Sequence, residues 1–363
     1  MSHSPTKRRH ELDALRAIAM MLGIVLHAAI AYTGFGWAVS DPSHSRAFIY
    51  LFDAVHGFRM QLFFFISGYF TTMLYFKRGM RGLLYQRGKR ILIPLLLFAP
   101  LLSPLTQWII NQAKGESQAT LFPETLPFWQ SFNLHHLWFL WFLVLFVLFF
   151  ACWNWLKIPQ KLALFSKDYS GALYLVALSI IPQSFMTTAY PLFGPCSSLT
   201  LLPDPTVFTY YAIFFAAGAS SYSKSSQALA NLWKLLLPCS LFILFPLGIW
   251  IEHLSIYQLS YLKPLSDCIQ LSYTWCMVYG SIGLFKNFCS SPSPHLRYLS
   301  DSSYWLYLAH LPLVFGIQLL LVDVPMSCWI KFPIVVLTCF ALLLVSYHFL
   351  IRDKWLGNLL NGK

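Results

Sequence analysis

Two basic side chains, Arg16 and His27, lie inside one apolar stretch that runs from residue 12 to residue 32. An ionisable side chain within a membrane segment is costly unless it faces protein, water or a ligand, so the pair indicates a functional site. An arginine guanidinium binds phosphate oxygens through two parallel hydrogen bonds, and a neutral imidazole can act as a general base. These residue types therefore fit a reaction in which Arg16 holds a phosphate group and His27 takes a proton from a hydroxyl that attacks a thioester.

The spacing of the pair fits a ligand that extends along one helix. The two residues are eleven positions apart, which corresponds to about 1100° of rotation, so they lie within roughly 20° of one helix face and about 16 Å apart along its axis. Arg16 is then expected near the cytoplasmic end and His27 near the middle of the membrane. Acyl-coenzyme A has this extended shape. Two structural explanations stay open: Arg16 can extend to the interface, and His27 can hydrogen-bond a neighbouring helix.

Four more polar side chains occur at or near the ends of other apolar stretches: His56, Arg59, His136 and His310. His56, Arg59 and His136 are expected at the outer ends of two helices, and His310 inside a third. Several histidines in one bundle predict a shared polar cavity, where these residues contact the substrate. Arg59 lies on the side that carries few basic residues, so we expect it to bind a carboxylate or the acceptor. For each histidine taken alone, a structural role is the alternative.

Three charged residues near the opposite end of the bundle are candidates for positioning the phosphate group. Asp13 precedes Arg16 by about one turn and is expected to orient its guanidinium by an ion pair, or else to complement the helix dipole. Arg87 and Arg90, at positions i and i+3, fit a clamp on coenzyme phosphates. They belong to the densest basic stretch, residues 77–90, so a topology signal or contact with anionic lipid explains them equally well.

The composition places these residues in a polytopic membrane protein. Of the 363 residues, 57% are hydrophobic and 10% are charged, and the mean hydropathy is +0.59, whereas soluble domains carry about 25% charged residues. One membrane domain is expected over residues 1–363, with no appended soluble domain. Apolar windows of about 20 residues predict an all-α transmembrane bundle of about ten helices, near residues 12–34, 54–76, 91–111, 136–156, 171–190, 207–222, 235–251, 265–285, 303–322 and 329–350.

The distribution of lysine and arginine predicts how the bundle is oriented. With ten spans both termini share one side, and that side holds 19 of these residues against 5 on the other, with Arg16 inside the first span. The positive-inside rule then makes both termini cytoplasmic.

Because the charges are spread over separate loops, the net charge of +12 does not indicate a nucleic-acid partner. The eight cysteines form no C-x-x-C pair, and neither a metal site nor a disulfide framework is expected.

Several segments, taken in order, resemble the acyltransferase family 3 membrane enzymes, which move acyl groups onto carbohydrates. The run ELDALRAIAM, with Arg16 and His27 spaced as R-x10-H, is similar to the opening signature of that family. Similar segments follow in the same order: FRMQLFFFISGYF from residue 58, RGKRILIP from residue 87, HLWFL from residue 136 and SYWLYLAHLP from residue 303. The resemblance covers about residues 9–350, and VHGFRMQLFFFISGYF paired with HLWFL most resembles the branch of periplasmic-glucan succinyltransferases.

This resemblance implies a ten-helix fold in the bacterial inner membrane and an acyl-CoA donor, succinyl-CoA or acetyl-CoA, reached from the cytoplasm. It implies that Arg16 lies near the donor phosphates and that His27 is the essential catalytic residue. No tightly bound cofactor is expected, and the acceptor would be a hydroxyl of a cell-envelope carbohydrate such as a periplasmic glucan. The reaction class would be an acyltransferase that transfers groups other than aminoacyl groups. Direct transfer and transfer through an acyl-histidine intermediate both stay open, as does the oligomeric state.

A membrane transporter or carrier of a glycan or an anionic small molecule, without acyl transfer, is the alternative. It would share the helix number, the basic cytoplasmic face and the buried polar residues. The sequence contains neither an inverted repeat nor the paired Gly/Pro-broken helices that mark such sites. An enzyme should lose activity when His27 is replaced by alanine, whereas a transporter should move substrate without releasing free coenzyme A.

Overall fold

The computed structural model describes residues 9–35, 38–115, 132–157, 169–186, 193–222, 227–257 and 259–362. In these ranges the regular secondary structure is helical, apart from one isolated β-bridge between Asn133 and Thr200, which confirms the predicted all-α class. The α-helices are α1 His10–Ile30, α2 Arg46–Arg87, α3 Ile93–Ala113, α4 Trp138–Trp155, α5 Tyr169–Ser184, α6 Pro205–Ser221, α7 Gln227–Asn231, α8 Trp233–Cys239, α9 Phe245–Tyr257, α10 Lys263–Phe288, α11 Pro294–Leu321, α12 Cys328–Ser346 and α13 Trp355–Asn361.

Each of the ten predicted spans falls on a helical part of the chain, although residues 187–190 of the fifth span lie outside the described residues. Among the described residues, six continuous helical segments are long and apolar enough to cross a membrane. They are His10–Ile30, Arg46–Ala113, His135–Trp155, Trp233–Ile256, Pro294–Leu321 and Cys328–Ile351, and the second contains two predicted spans. These segments indicate a multi-pass membrane protein. The number of ten crossings and the cytoplasmic location of both termini stay predictions.

Helix α1 ends earlier than the hydropathy window predicts, at Ile30 rather than at residue 34. The hydroxyl of Thr33 donates to the Ile30 carbonyl at 2.7 Å, and Gly34 follows with φ of 78°, a left-handed conformation that ends the helix. His27 consequently lies in the last turn of α1. The helix thus ends about one turn beyond His27, closer than the hydropathy window predicts, because hydropathy does not detect this local turn. The position of His27 near the middle of the membrane stays a prediction.

Helix α2 begins earlier and ends later than the predicted span 54–76. Ser45 accepts a hydrogen bond from the Ala47 N–H at the N-terminus, so the helix starts at a cap. The 42 residues of α2 would measure about 63 Å if straight, roughly twice the hydrocarbon thickness of a bilayer. Gly79, with φ 67° and ψ 179°, breaks the helix. His56 thus lies well inside α2, which corrects its expected place at the helix end, and Arg59 lies one turn further in.

A π-helical segment, Gly88–Leu92, joins α2 to α3. π-Helical turns are uncommon and occur frequently at functional sites. Arg87 is the last residue of α2 and Arg90 lies within the π segment. The change of helix type therefore sets the relative direction of the two arginines that the sequence proposes as a phosphate clamp.

The bundle that holds the central residues is built on helix pairs in close contact. Helix α1 packs against both α2 and α11, and α2 packs most extensively against α6. At the crossing of α2 and α6, a Cβ atom on Gly68 would overlap the Phe215 carbonyl oxygen, and one on Gly218 would overlap the Phe65 carbonyl oxygen. Small residues allow such backbone approach in membranes. The glycine of FISGYF, Gly68, therefore lets α2 and α6 approach closely.

Aromatic side chains fill the centre of the bundle around Phe64, which is fully buried. Its ring lies 4.9 Å from the ring of Phe139 and 4.9 Å from that of Tyr211. At the end where α1 stops, a buried ion pair joins Lys331 Nζ of α12 to Asp41 Oδ2 at 2.7 Å. Both side chains are at most 3% exposed. These contacts join α2 to α4 and α6, and they join α12 to the segment that follows α1.

Candidate active site

A cavity of about 440 Å³ lies where α1, α2 and α11 meet the start of α4 and the segment 195–199. His27 reaches it from α1, His136 from the 3-10 turn before α4, and His310 from α11. His56 and Arg59 reach it from α2. The structure therefore brings five of the sequence-predicted site residues, which are separated by up to 283 positions, to one cavity. Most of the remaining wall is apolar, for example Met20, Phe63, Trp138, Phe139 and Phe315.

Three imidazole rings form a row along the cavity wall. The ring centroids of His27 and His310 are 5.2 Å apart, and those of His310 and His136 are 5.0 Å apart. Tyr307, one turn before His310 on α11, lies 5.5 Å from the His136 ring. Its hydroxyl donates to the His136 carbonyl at 2.7 Å. The row crosses from α1 through α11 to the turn before α4, so its geometry depends on the packing of all three elements.

Backbone carbonyls set the orientation of two of these rings. His310 Nδ1 lies 2.7 Å from the Tyr307 carbonyl oxygen, and His136 Nε2 lies 3.0 Å from the Leu308 carbonyl oxygen. Because a carbonyl oxygen only accepts, each of these nitrogens must carry the proton. In the neutral imidazoles, His310 Nε2 and His136 Nδ1 are therefore hydrogen-bond acceptors. His310 thus presents a basic nitrogen beside the ring of His27.

Helix α11 is also tied to the end of α1 that carries His27. Gln318 donates through Nε2 to the carbonyl oxygens of His27 and Ala28, at 3.1 Å each. These are orphan carbonyls of the last helical turn, which need partners when buried. Gln318 lies two turns after His310 on α11, so this contact and the row of rings hold the same pair of helices together.

Arg59 approaches α1 at a position that has no side chain. A Cβ atom on Gly23 would overlap Arg59 Nη1 and would lie 3.7 Å from His310 Nε2. Gly23 precedes His27 by four residues, about one helical turn. The guanidinium of Arg59 therefore lies next to both His310 and the helix turn that carries His27.

His56 faces the same cavity but has a partner outside the row of rings. Its Nε2 donates to the Pro195 carbonyl oxygen at 2.8 Å, and its ring stacks on Phe52 with centroids 5.2 Å apart. The segment that carries Pro195 is held by side chains at its start, since the Gly194 N–H donates to Gln270 Oε1 at 2.8 Å. His56 thus connects α2 to the wall segment 195–199.

Buried polar atoms without a hydrogen-bond partner converge on this cavity. Among the described residues they include His27 Nδ1, Arg59 Nε, His136 Nδ1 and His310 Nε2. A buried polar atom that lacks a partner costs about 1–3 kcal/mol, so four in one place require an explanation. A polar substrate bound in the cavity would satisfy them.

The second predicted site, at the other end of α1, combines three arginines. Arg16 Nη2 lies 3.5 Å from Asp13 Oδ1 and 3.4 Å from Ser300 Oγ. Arg87 donates to Thr71 Oγ1 at 3.2 Å, and Arg90 Nε donates to the Leu360 carbonyl at 3.1 Å. The three guanidinium groups lie within electrostatic range of one another.

This cluster contains less negative charge than positive charge. The cluster holds three arginines, and the acidic side chains that interact with Arg90 are those of Asp13 and Asp301. Asp13 belongs to the cluster, where it pairs with Arg16, and it does not line the histidine cavity. The expected ion pair between Asp13 and Arg16 is thus present, and the cluster has the charge to receive phosphate oxygens.

Several cavity residues were missed by sequence reasoning. His135 lines the cavity beside His136, and its Nε2 is a further buried nitrogen without a partner among the described residues. Its φ of 46° is unusual for a residue other than glycine. The adjacent pair of histidines was the available signal. Nothing in a single sequence could have indicated Tyr307 or Gln318, whose roles depend on contacts between helices. Trp138 lines the cavity, whereas the Trp141 indole donates to the Leu201 carbonyl at 2.9 Å.

Residues 9–351 match the acyltransferase domain of acyltransferase family 3. The chain is also similar to proteins named glucans biosynthesis protein C, at 34% identity for those of Salmonella paratyphi B and Salmonella dublin and at 33% for that of Salmonella heidelberg. Each match extends over 188 residues, 50% of this chain and 47% of the relative. The chain therefore matches about half the length of these relatives. No solved structure matches it. Because the domain match covers nearly the whole chain, the protein belongs to acyltransferase family 3, as its R-x10-H signature predicts.

Proposed function

We propose that this protein moves a succinyl or acetyl group from cytoplasmic acyl-CoA to a hydroxyl of a cell-envelope carbohydrate such as a periplasmic glucan. The observation that carries the proposal is the convergence of His27, His310, His136 and Arg59, with their unpartnered polar atoms, on one cavity. Membership of an acyltransferase family supplies the reaction class. The carbohydrate acceptor is suggested by relatives whose name refers to glucan biosynthesis.

The donor would bind along one face of α1. Arg16, Gly23 and His27 follow one another at intervals of seven and four residues, which keeps them within about 40° of one helix face. The phosphates of the donor would bind Arg16, Arg87 and Arg90, whose charges exceed those of their acidic neighbours. The thioester would then lie near His27, about 16 Å further along the helix. Ala19 and Met20, between the two sites, line the cavity.

In the proposed direct reaction, His27 takes the proton of the acceptor hydroxyl while the hydroxyl oxygen attacks the thioester carbon. The new carbon–oxygen bond forms as the carbonyl electron pair moves to oxygen. When the tetrahedral intermediate collapses, the carbon–sulfur bond breaks and the thiolate takes the proton from His27. The products are the acylated sugar and free coenzyme A. If His27 itself attacks first, the acyl-histidine route gives the same products in two steps.

His310 would assist His27 from the neighbouring helix. Its Nδ1 proton is held by the Tyr307 carbonyl, so its Nε2 lone pair faces the cavity 3.7 Å from the position of a Cβ on Gly23. A second neutral imidazole at this place would accept a hydrogen bond from a neighbouring hydroxyl of the acceptor sugar, while His27 takes the proton of the attacking one. It would orient the acceptor, and positioning of this kind contributes substantially to rate.

Release of free coenzyme A thiol tests the proposal. The purified protein in detergent is offered acetyl-CoA and succinyl-CoA in turn, each with and without a mixed glycan acceptor. We predict acceptor-dependent release, and a loss of about 10²–10⁴-fold in His27→Ala because general base catalysis typically contributes that much. His44→Ala is the matched control, since His44 is exposed and contacts the Pro42 carbonyl rather than the cavity.

One outcome would contradict the role of His27, and another would contradict acyl transfer itself. Equal release by the wild type and by a His27→Ala variant of matched thermal stability would exclude His27 as the catalytic residue. If the folded wild-type protein releases no coenzyme A with either donor, yet moves a glycan or an anion across liposomes, the transporter alternative holds instead.

A further inference from the structure

Arg59 is a permanent positive charge in the wall of the histidine cavity. Among the described residues no carboxylate forms an ion pair with Arg59: its Nη2 donates to Met60 Sδ at 3.5 Å, and its Nε is buried without a partner. A buried charge is costly unless it is paired. The cavity next to Arg59 is therefore suited to a group that carries negative charge, either at rest or during the reaction.

The position of Gly23 brings this charge to the reacting end of the donor path. Because Gly23 lacks a side chain, Arg59 Nη1 lies against the backbone of α1 between Arg16 and His27. An acyl-CoA that extends from Arg16 towards His27 passes this point with its thioester end. The guanidinium would thus face the thioester carbonyl from α2. No other arginine or lysine lines the cavity among the described residues.

We infer that Arg59 is a catalytic residue, which stabilises the oxyanion formed on the thioester carbonyl, and that Gly23 is glycine so that Arg59 can reach this place. The inference rests on the proposed acyl transfer. When the acceptor oxygen bonds to the carbonyl carbon, the carbonyl electron pair moves onto its oxygen, and the Arg59 N–H groups donate hydrogen bonds to this negatively charged oxygen. The electron pair then re-forms the carbonyl double bond as the carbon–sulfur bond breaks. A fixed cation in a site with little water stabilises such a charge strongly.

The test compares kcat and KM of four variants with both donors. In Arg59→Met, a chain of similar length without charge, we expect kcat to fall about 10²–10³-fold, the usual loss for one oxyanion donor, with KM for acyl-CoA nearly unchanged. Arg59→Lys keeps the charge and should lose less. Gly23→Ala leaves Arg59 intact but moves its guanidinium, so it should also lower kcat. Gly316→Ala is the control, because a Cβ there meets nothing within 4 Å.

Three results would overturn the inference. The first is an unchanged kcat in Arg59→Met. The second is a loss confined to KM, which would give Arg59 a role in donor binding. The third is a loss with succinyl-CoA alone, which would make Arg59 the partner of the acyl carboxylate. All three differ from failure of the proposed function, in which the wild-type protein itself releases no coenzyme A. Melting temperatures of the variants separate misfolding from loss of chemistry.

Discussion

At the scale of single residues, the three arginines beside α1 differ from ordinary basic residues of a cytoplasmic loop. Arg16, Arg87 and Arg90 are partly buried and hydrogen-bonded, whereas Arg81 in the same basic stretch is exposed. A topology signal requires charge only, and it does not require these contacts. Their convergence from α1, from the end of α2 and from the π segment favours a role in binding phosphate.

We predict that Arg16→Met raises KM for acyl-CoA by about 10–100-fold, because a hydrogen bond between charged groups contributes about 1.5–3 kcal/mol. Arg87→Met and Arg90→Met should act in the same direction, and kcat should change less. KM of the wild-type protein should also rise with salt concentration, since salt screens the charges. Steady-state kinetics at two ionic strengths measures both effects. Arg81→Met is the control, and an equal rise of KM in that variant would show that general positive charge is sufficient.

At the scale of helices, the crossing of α2 and α6 positions the helix that carries His56 and Arg59. Gly68 and Gly218 face each other's backbones there, with no room for a Cβ atom on either. The crossing lies two to three turns from Arg59 along α2. A change at the crossing therefore acts on stability first, and on the cavity only through movement of α2.

We predict that Gly68→Ala and Gly218→Ala each destabilise the folded protein by about 1–3 kcal/mol, the usual cost of overpacking. The expected readout is a lower melting temperature in detergent, measured by fluorescence or size-exclusion chromatography after heating. Gly316→Ala again serves as the control, because its added methyl group faces open space. Unchanged melting temperatures in both crossing variants would mean that the two helices separate without cost.

At the scale of the whole molecule, the two candidate sites lie towards opposite ends of α1. The arginine cluster lies near its start, and the histidine cavity near its end. An enzyme that takes its donor from one side of the membrane and its acceptor from the other needs this arrangement. The proposed transfer therefore requires the arginine end to face the cytoplasm, as the positive-inside rule predicts.

Reporter fusions test this orientation. We predict that green fluorescent protein fused after residue 363 of the full chain is fluorescent, and that alkaline phosphatase fused at the same place is inactive, because the positive-inside rule predicts that both termini are cytoplasmic. The same reporters fused after residue 44, following a single span, should give the reverse result. Active alkaline phosphatase at residue 363 would place the arginine cluster outside and would remove cytoplasmic acyl-CoA as the donor.

The membrane class, the all-α fold and the family were all predictable from the amino-acid sequence, which also proposed Arg16 and His27 as site residues. Each of these follows from local properties, because hydropathy and the 3.6-residue period act within one helix. The ends of α1 and α2 were predicted less accurately. Hydropathy does not register the hydrogen bonds of Thr33 and of the Ser45 cap, or the left-handed backbone of Gly34, which set these ends.

The number of buried histidines predicted a shared polar cavity, but only the packing of the helices fixes which rings are neighbours in it and where Arg59 lies beside them. Their proximity results from contacts between helices that lie far apart in the chain, and a single sequence contains no pattern for such contacts. The same is true of Gly23, whose sequence neighbours give no sign that Arg59 lies against it. Residue types and spacing therefore predicted which groups could react, and helix packing decided which of them meet.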